Sequence, residues 1–432
     1  MTTTPALRTA APAGERPAAH RDGNVLRWLG AYSASAVGDN IYYLALSWAA
    51  VQSGGPSQAG LVMTVSALPR ALLMLGGGVI ADRFGPRRVV IGSDAVRCLA
   101  VFAVAGLLVL ASPGLWLLAV LGLVFGTVDA LFMPAVGALP ARITGRDQLA
   151  RVQGMRGLVI RLANVVGAPL GGLGVALGGP AAAFGVAGLL FALSLPLLVA
   201  VRMGNLPAGA GAGAGADGDA DGGDASRGGR TAWGELRDGL RYIRGHRVLA
   251  PLMVVVALGD LGFVGPLNIG LTILADERGW GASGMGLVLA GFGAGAGASA
   301  LWLTVRGRVP RAGLVLPVTC LVGAVGVGGM AYVPLLWGAV GVASATGLVV
   351  GLTGALSGAL AQTESAPAYL GRVTAVSGLV SLGVAPLTYP VTGIAVEAWG
   401  TAPVFTASAV TCGLAGLYGV CARGLRGAEL PG

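Results

Sequence analysis

The feature that most constrains this chain is a succession of apolar stretches, each about as long as a bilayer core requires, separated by short loops that hold most of the charge. A helix needs about 20 apolar residues to cross a hydrocarbon core roughly 30 Å thick. Twelve such stretches can be placed. They fall at 27–51, 57–81, 88–111, 114–143, 149–177 and 181–203, and then at 248–275, 281–305, 314–332, 335–362, 370–396 and 402–421. Only 11% of the residues are charged, which excludes an ordinary water-soluble enzyme of this length. The 76 glycines follow no three-residue period and lie among Ala, Leu and Val, where they let membrane helices approach closely.

Between the sixth and seventh stretches, 204–232 is a Gly/Ala/Asp-rich run that cannot bury a core and reads as a flexible linker. The expected organisation is a disordered cytoplasmic tail at 1–26, a six-helix bundle at 27–203, the linker, an amphipathic helix at 233–247, a second six-helix bundle at 248–423 and a short tail at 424–432. In 233–247, Trp233, Leu236, Leu240 and Ile243 recur at helical spacing opposite charged residues, the pattern of a helix lying on the cytoplasmic membrane surface.

Every basic residue other than His is arginine. With the N-terminus inside, Arg278 alone falls in an outer loop, while Arg70, Arg97, Arg156 and Arg161 lie within spans, so both termini read as cytoplasmic. The net charge of +9 therefore belongs to membrane-flanking loops, and no nucleic-acid partner is expected. His20 and His246 lie in the tail and the surface helix. Cys98, Cys320, Cys412 and Cys421 lack metal-ligand spacing, so no metal or other cofactor is expected. Without lysine there is no GxxxxGK[ST] phosphate loop, which excludes ATP-driven transport by this chain alone.

The halves echo one another. Gly38-Asp39 and Gly259-Asp260 occur at the same depth of spans one and seven, and the run from Ser57 to Val62 has its counterpart from Ser283 to Val288. Two echoes in the same order indicate a duplicated six-helix unit.

The loop after span two contains Gly78, Asp82, Arg83, Gly85, Arg87 and Arg88 in the pattern G-x-x-x-D-R-x-G-x-R-R. Its glycines permit close approach and a tight turn, Asp82 can cap a helix or pair with arginine, and the arginines anchor the loop at an anionic leaflet. This loop resembles the signature of the major facilitator superfamily, and the likeness extends over about 27–423. Gly38-Asp39, the run Ala67 to Arg70, Ser93 to Arg97 and the run Leu370 to Val373 are most similar to the branch of enterobactin exporters and macrolide-efflux proteins. In span five, Gly167, Pro169, Gly171 and Gly172 resemble the G-P-x-x-G-G hinge of the family's antiporters, with the proline displaced by one. The resemblance implies an all-α integral membrane fold of twelve helices in two pseudo-symmetric six-helix bundles, and a secondary transporter that is most often a proton-driven exporter.

Ionisable side chains within the bilayer are costly, about 2.5–3.5 kcal/mol on insertion scales, and so mark function or partnership. Tyr32, Ser35, Asp39, Tyr43 and Ser47 form one polar stripe on span one. Asp39 reads as a proton or substrate-cation site, or as a structural acid paired with Arg70. Asp260 reads similarly, with Asn268 and Thr272 continuing its face. Tyr32, Ser35, Tyr43 and Asn268 are the expected cavity residues, and aromatics such as Tyr42, Phe125 and Phe263 are candidates for its apolar wall. Asp129 and Arg161 are expected to meet near the midplane as an ion pair, fixed or re-forming during transport. Asp94 and Arg97 read as a local pair serving the signature loop.

These residues fit a monomeric inner-membrane antiporter that exports a drug, antibiotic or other amphiphilic small molecule in exchange for protons. An importer or facilitator of a metabolite, and a non-transporting sensor or scaffold, are the rival readings. No residue constellation points to an enzyme.

Overall fold

The computed structural model describes residues 19–111, 114–202, 232–306 and 309–430. The 1–26 tail lies mostly, and the 204–232 linker almost wholly, outside them.

Helix α1 (Gly23–Phe84) starts where Asp22 accepts a hydrogen bond from the Asn24 N–H, 2.8 Å away. Its 62 residues would extend about 93 Å if straight, three times the bilayer core. Gly55, at φ 77°, breaks it into arms 23–54 and 56–84. A side chain is strained at that angle, so glycine permits the reversal. The arms fold back together, placing Arg70 Nη1 3.5 Å from the Tyr43 hydroxyl although 27 residues separate them. Helices α2 (Pro86–Leu110), α3 (Leu115–Ala138) and the short α4 (Pro140–Ile143) follow. Helix α5 (Leu149–Ala200) doubles back in the same way at Gly178 and Gly179.

After α6 (Ala232–Gly245), the seventh span is α7 (Leu249–Gly265), a wide π turn at Pro266–Gly270 and α8 (Leu271–Glu277). Pro266 has no N–H to donate, and the Leu271 N–H reaches back five residues to its carbonyl. Helices α9 (Gly281–Arg306), α10 (Ala312–Met330), α11 (Leu336–Thr363), α12 (Leu370–Trp399) and α13 (Thr401–Cys421) complete the second half, and α14 (Arg423–Arg426) follows. Nine helices among the described residues are long and apolar enough to cross a membrane. One of these, α5, makes two passes and α1 supplies two more, giving the expected twelve. In lipid the backbone must satisfy its own hydrogen bonds, so these apolar stretches become helices.

Two readings of the segments flanking the second bundle change. The tail expected at 424–432 is folded through its described part: Leu425 is buried and the Ala428 carbonyl accepts from the Gly313 N–H at 3.0 Å. Helix α6 docks on the second bundle. Ile243 is buried, Tyr242 stacks on Tyr369 at 4.2 Å, and Gly239 lies against Arg372 of α12. A protein surface, not lipid alone, thus receives part of its apolar face, while Leu240 stays exposed.

The duplication is visible in how the halves meet. Gly60 of the second span lies against the Tyr389 carbonyl of α12, and Gly286 of α9 lies against the Ala168 carbonyl of α5; an added Cβ would fall 2.7 and 2.5 Å from those oxygens. Gly393 and Gly172 face Pro56 and Ala282 in the reciprocal sense. The echoed glycines of the sequence are therefore the close-approach points of a pseudo-twofold interface.

All these contacts lie toward the end of the bundle that carries the turns at Gly55, Gly179, Gly279 and Gly400. There one hydrophobic core joins both halves, from Ile41, Leu46 and Phe184 to Ile269, Leu274 and Met285. Toward the opposite, arginine-rich end each half has its own core, around Trp28, Leu139 and Val152 in one and Leu252, Leu316 and Leu360 in the other. The halves are joined at the glycine-turn end and separate at the arginine-rich end.

Candidate functional site

The first half is organised around Arg97, whose side chain is 1% exposed. A guanidinium keeps its charge and presents five donors in a planar fork, so its burial demands several acceptors. Three carboxylates supply them. Asp94, one turn earlier on α2, has Oδ1 3.3 Å from Nη1; Asp39 on α1 approaches the same nitrogen at 3.7 Å; and Asp129 of α3 accepts from Nη2. The Phe132 ring lies 4.1 Å from the guanidinium carbon, giving it an aromatic face as well.

Further donors close around the acids. Asp94 accepts from Ser35 and, at 2.5 Å, from Ser194. Asp129 accepts from the Tyr43 hydroxyl at 2.7 Å and lies 3.9 Å from Arg70. Asp39 Oδ1 is buried without a hydrogen-bond partner. Three carboxylates therefore share two guanidiniums in one cluster whose centre, Arg97, Asp94 and Asp129, is buried while Arg70 and Asp39 are partly exposed.

Several expected partnerships are replaced. Asp129 meets Arg97 and Arg70, not Arg161, which donates from α5 to the Ala296 carbonyl of α9 at 3.2 Å. Depth along a helix places both residues near the midplane, but Arg161 faces the other half. The guanidinium ion-paired with Asp39 is Arg97, not Arg70. The Asp94–Arg97 pair forms, though in the bundle interior and not at the signature loop. Ser35 is buried on Asp94, and Tyr32 stacks on Trp28 at 5.9 Å with Arg156 5.3 Å from its ring, so neither borders the cavity between the halves. Tyr42 and Phe125 stack on each other at 3.5 Å inside the first bundle and are core, not cavity wall.

That cavity encloses about 250 Å³ and is bordered by Asn40, Tyr43, Arg161, Asn164, Asn268 and Phe292, among others. Of the four residues expected to line a cavity, Tyr43 and Asn268 border this one. Asn40 and Asn164, whose amides are 3.2 Å apart, were not anticipated. Their signal is an amide adjacent to Asp39 and another one turn after Arg161, each in an apolar run. At the joined end of the cavity, Ser47, which also borders it, bonds to the Asn268 carbonyl at 3.2 Å and to Thr272 at 2.7 Å, and Gln52 donates to Asp276 at 2.7 Å.

Asp260 does not join the arginine cluster. It borders a separate cavity inside the second half and accepts from Ser381 at 2.7 Å. In the signature loop, Gly85 makes the turn at φ 83°, Arg87 donates to the Val199 carbonyl at 2.7 Å, and Arg83 and Arg88 are exposed. Gly78 and Asp82 lie outside the residues whose side chains are described, and so does the expected role of Asp82. In span five, Gly167 packs on Asn40, Gly171 on Ile41 and Gly172 on Ala282, so the stretch around Pro169 touches both the first span and the other half.

Two six-helix bundles around an interfacial cavity, with a charged network buried at membrane depth, define a multi-pass membrane transporter. The chain belongs to the Major Facilitator Superfamily, whose sequence model matches residues 28–387. It is 27% identical over 422 residues to the multidrug efflux pump Tap of Mycobacterium tuberculosis (strain ATCC 25618 / H37Rv), covering 92% of each chain. It is 24% identical over 319 residues to the enterobactin exporter EntS of Shigella boydii serotype 18, covering 73% of this chain and 71% of the exporter. Among solved structures, the nucleoside transporter NupG superimposes with a TM-score of 0.68 at 13% identity, over 93% of this chain and all of NupG. A bacterial homologue of the lysosomal transporter Spinster, in an inward-facing conformation, does so with a TM-score of 0.63 at 14% identity, over 96% and 97% of the two chains. These structural likenesses establish the fold.

Proposed function

We propose that the chain is a proton-coupled exporter of amphiphilic small molecules, working as a monomer in a bacterial inner membrane with both termini in the cytoplasm. The observation that carries this reading is Asp39 Oδ1, a buried carboxylate oxygen without a hydrogen-bond partner in a cluster where three acids share two guanidiniums. Buried polar atoms are almost always hydrogen-bonded, so an acceptor held only by an ion-pair contact at 3.7 Å has room for a proton or a ligand. One proton there balances the cluster's formal charge.

Tyr43 connects the two tasks. Its ring borders the interfacial cavity while its hydroxyl donates to Asp129, so a substrate against Tyr43 and a proton in the acid cluster act on the same hydrogen bonds. Coupling requires each ligand to favour a different conformation. With the arginine-rich end in the cytoplasm, the described arrangement is open inward and ready for substrate, and protonation from outside drives the return. Tap is a multidrug efflux pump and EntS an enterobactin exporter, and the likeness to both supports this direction.

The test is accumulation of a panel of macrolides, cationic dyes and siderophores in an efflux-deficient host, with and without a protonophore, for the parent chain and Asp39→Asn. Lower accumulation that protonophore reverses and the variant lacks is the expected result. Uptake that persists without a proton gradient would replace export with import or facilitated diffusion.

A further inference from the structure

The second half contains a cavity of about 310 Å³ whose lining comes entirely from spans of that half, between Met253 and Cys412, and shares no residue with the lining of the interfacial cavity. Its volume is at the lower end of small-molecule sites. Its walls are largely apolar, from Val256, Leu316 and Val327, with the Phe263 ring and the Thr353 hydroxyl among them. Into this setting the chain places one carboxylate, Asp260, held by the single hydroxyl of Ser381.

The lining includes no arginine or histidine, and the ion pairs among the described residues all belong to the Arg97 cluster in the other half. The interfacial cavity has the opposite character, with Arg161 and amides but no carboxylate. A partly desolvated carboxylate without a counter-charge is unfavourable in the membrane unless something neutralises it. An apolar pocket with one acid and one aromatic ring matches a compact organic cation, whose charge meets the carboxylate while its body is buried.

We infer that the cavity around Asp260 is a binding site for a monovalent organic cation with an apolar body, distinct from the interfacial cavity. It deepens the export reading, on which its transport role rests, by assigning a cationic substrate class to the second half.

Cys320 borders the cavity and reports its occupancy. In the full-length chain in nanodiscs, with Cys98 and Cys421 changed to serine and Cys412, which also borders the cavity, to alanine so that its wall stays apolar, the labelling rate of Cys320 by N-ethylmaleimide is measured with ethidium and with phenanthridine, its uncharged core. Ethidium at roughly ten times its dissociation constant should slow labelling about tenfold. Phenanthridine should not, and Asp260→Asn should abolish the protection, with each protein's liganded rate compared with its own unliganded rate because the Asp260 charge itself bears on the thiolate fraction of Cys320. No slowing by ethidium, equal slowing by both compounds, or full protection in Asp260→Asn would overturn the site. The comparison of the two compounds needs only the parent, so it stands even where Asp260→Asn does not fold. Ethidium export from cells without protection of Cys320 leaves the export reading intact and removes this site; protection without export does the reverse.

Discussion

Arg97 shows how one residue sets the character of its half. Three carboxylates and an aromatic ring surround a guanidinium that solvent hardly reaches, so removing it leaves like charges together in a low dielectric. Arg97→Gln should therefore destabilise the chain by about 3–5 kcal/mol, the usual consequence of breaking a buried ion pair on one side. Arg161→Gln, which loses a single bond to a backbone carbonyl, should cost about 0.5–1.5 kcal/mol. Unfolding of both variants in detergent, followed by heat or denaturant, gives the comparison. Tyr43→Phe should weaken the proposed export, because its hydroxyl links the cavity to Asp129, whereas Tyr32→Phe, stacked away from the cavity on Trp28, should leave transport close to the parent in the same accumulation assay. The residue types of this cluster are readable in the sequence, since acids and arginines stand out in apolar runs. Their partners are not, because a depth along each helix leaves the direction of the side chain open.

At the scale of elements, glycines decide where helices of opposite halves touch. Gly286 of α9 gives the Ala168 carbonyl of α5 room that a side chain would occupy. Gly286→Leu should penalise the joined state by about 1–3 kcal/mol, as overpacking generally does, and shift the chain toward states open at the glycine-turn end. Faster alkylation of a cysteine at position 52, applied from that side, would show the shift; an unchanged rate would mean that the contact does not govern closure. The echo between Gly60 and Gly286 is evident in the sequence, yet the carbonyls they face lie on spans 11 and 5, more than 100 residues away from each. Helix α6 follows the same logic. Its apolar face is legible, but its docking on α12 through Tyr242 and Tyr369 depends on a surface that the rest of the bundle must first create.

For the whole molecule, the defining property is that the halves are joined at one end and apart at the other. Gln52 and Asp276 meet across the joined end at 2.7 Å. Cysteines at both positions, linked by a short bismaleimide, should hold the halves together there and abolish transport, while either single cysteine treated with the reagent should retain it. Continued transport by the linked protein would mean that this end need not open.

Twelve membrane passes, the duplicated halves, the family and the costly charges within the bilayer are legible in the order of residues alone. These follow from apolar run length, from repeated motifs and from the rarity of acids and arginines in lipid-facing stretches, all properties of residues near one another in the chain. That Asp39, Asp94 and Asp129 converge on Arg97, that Arg161 faces the other half, and that Asp260 stands apart in its own cavity emerges once the helices are packed together. A span that is apolar around most of its circumference has no amphipathic stripe to fix its rotation, so the packing of neighbouring helices must choose which buried charges meet.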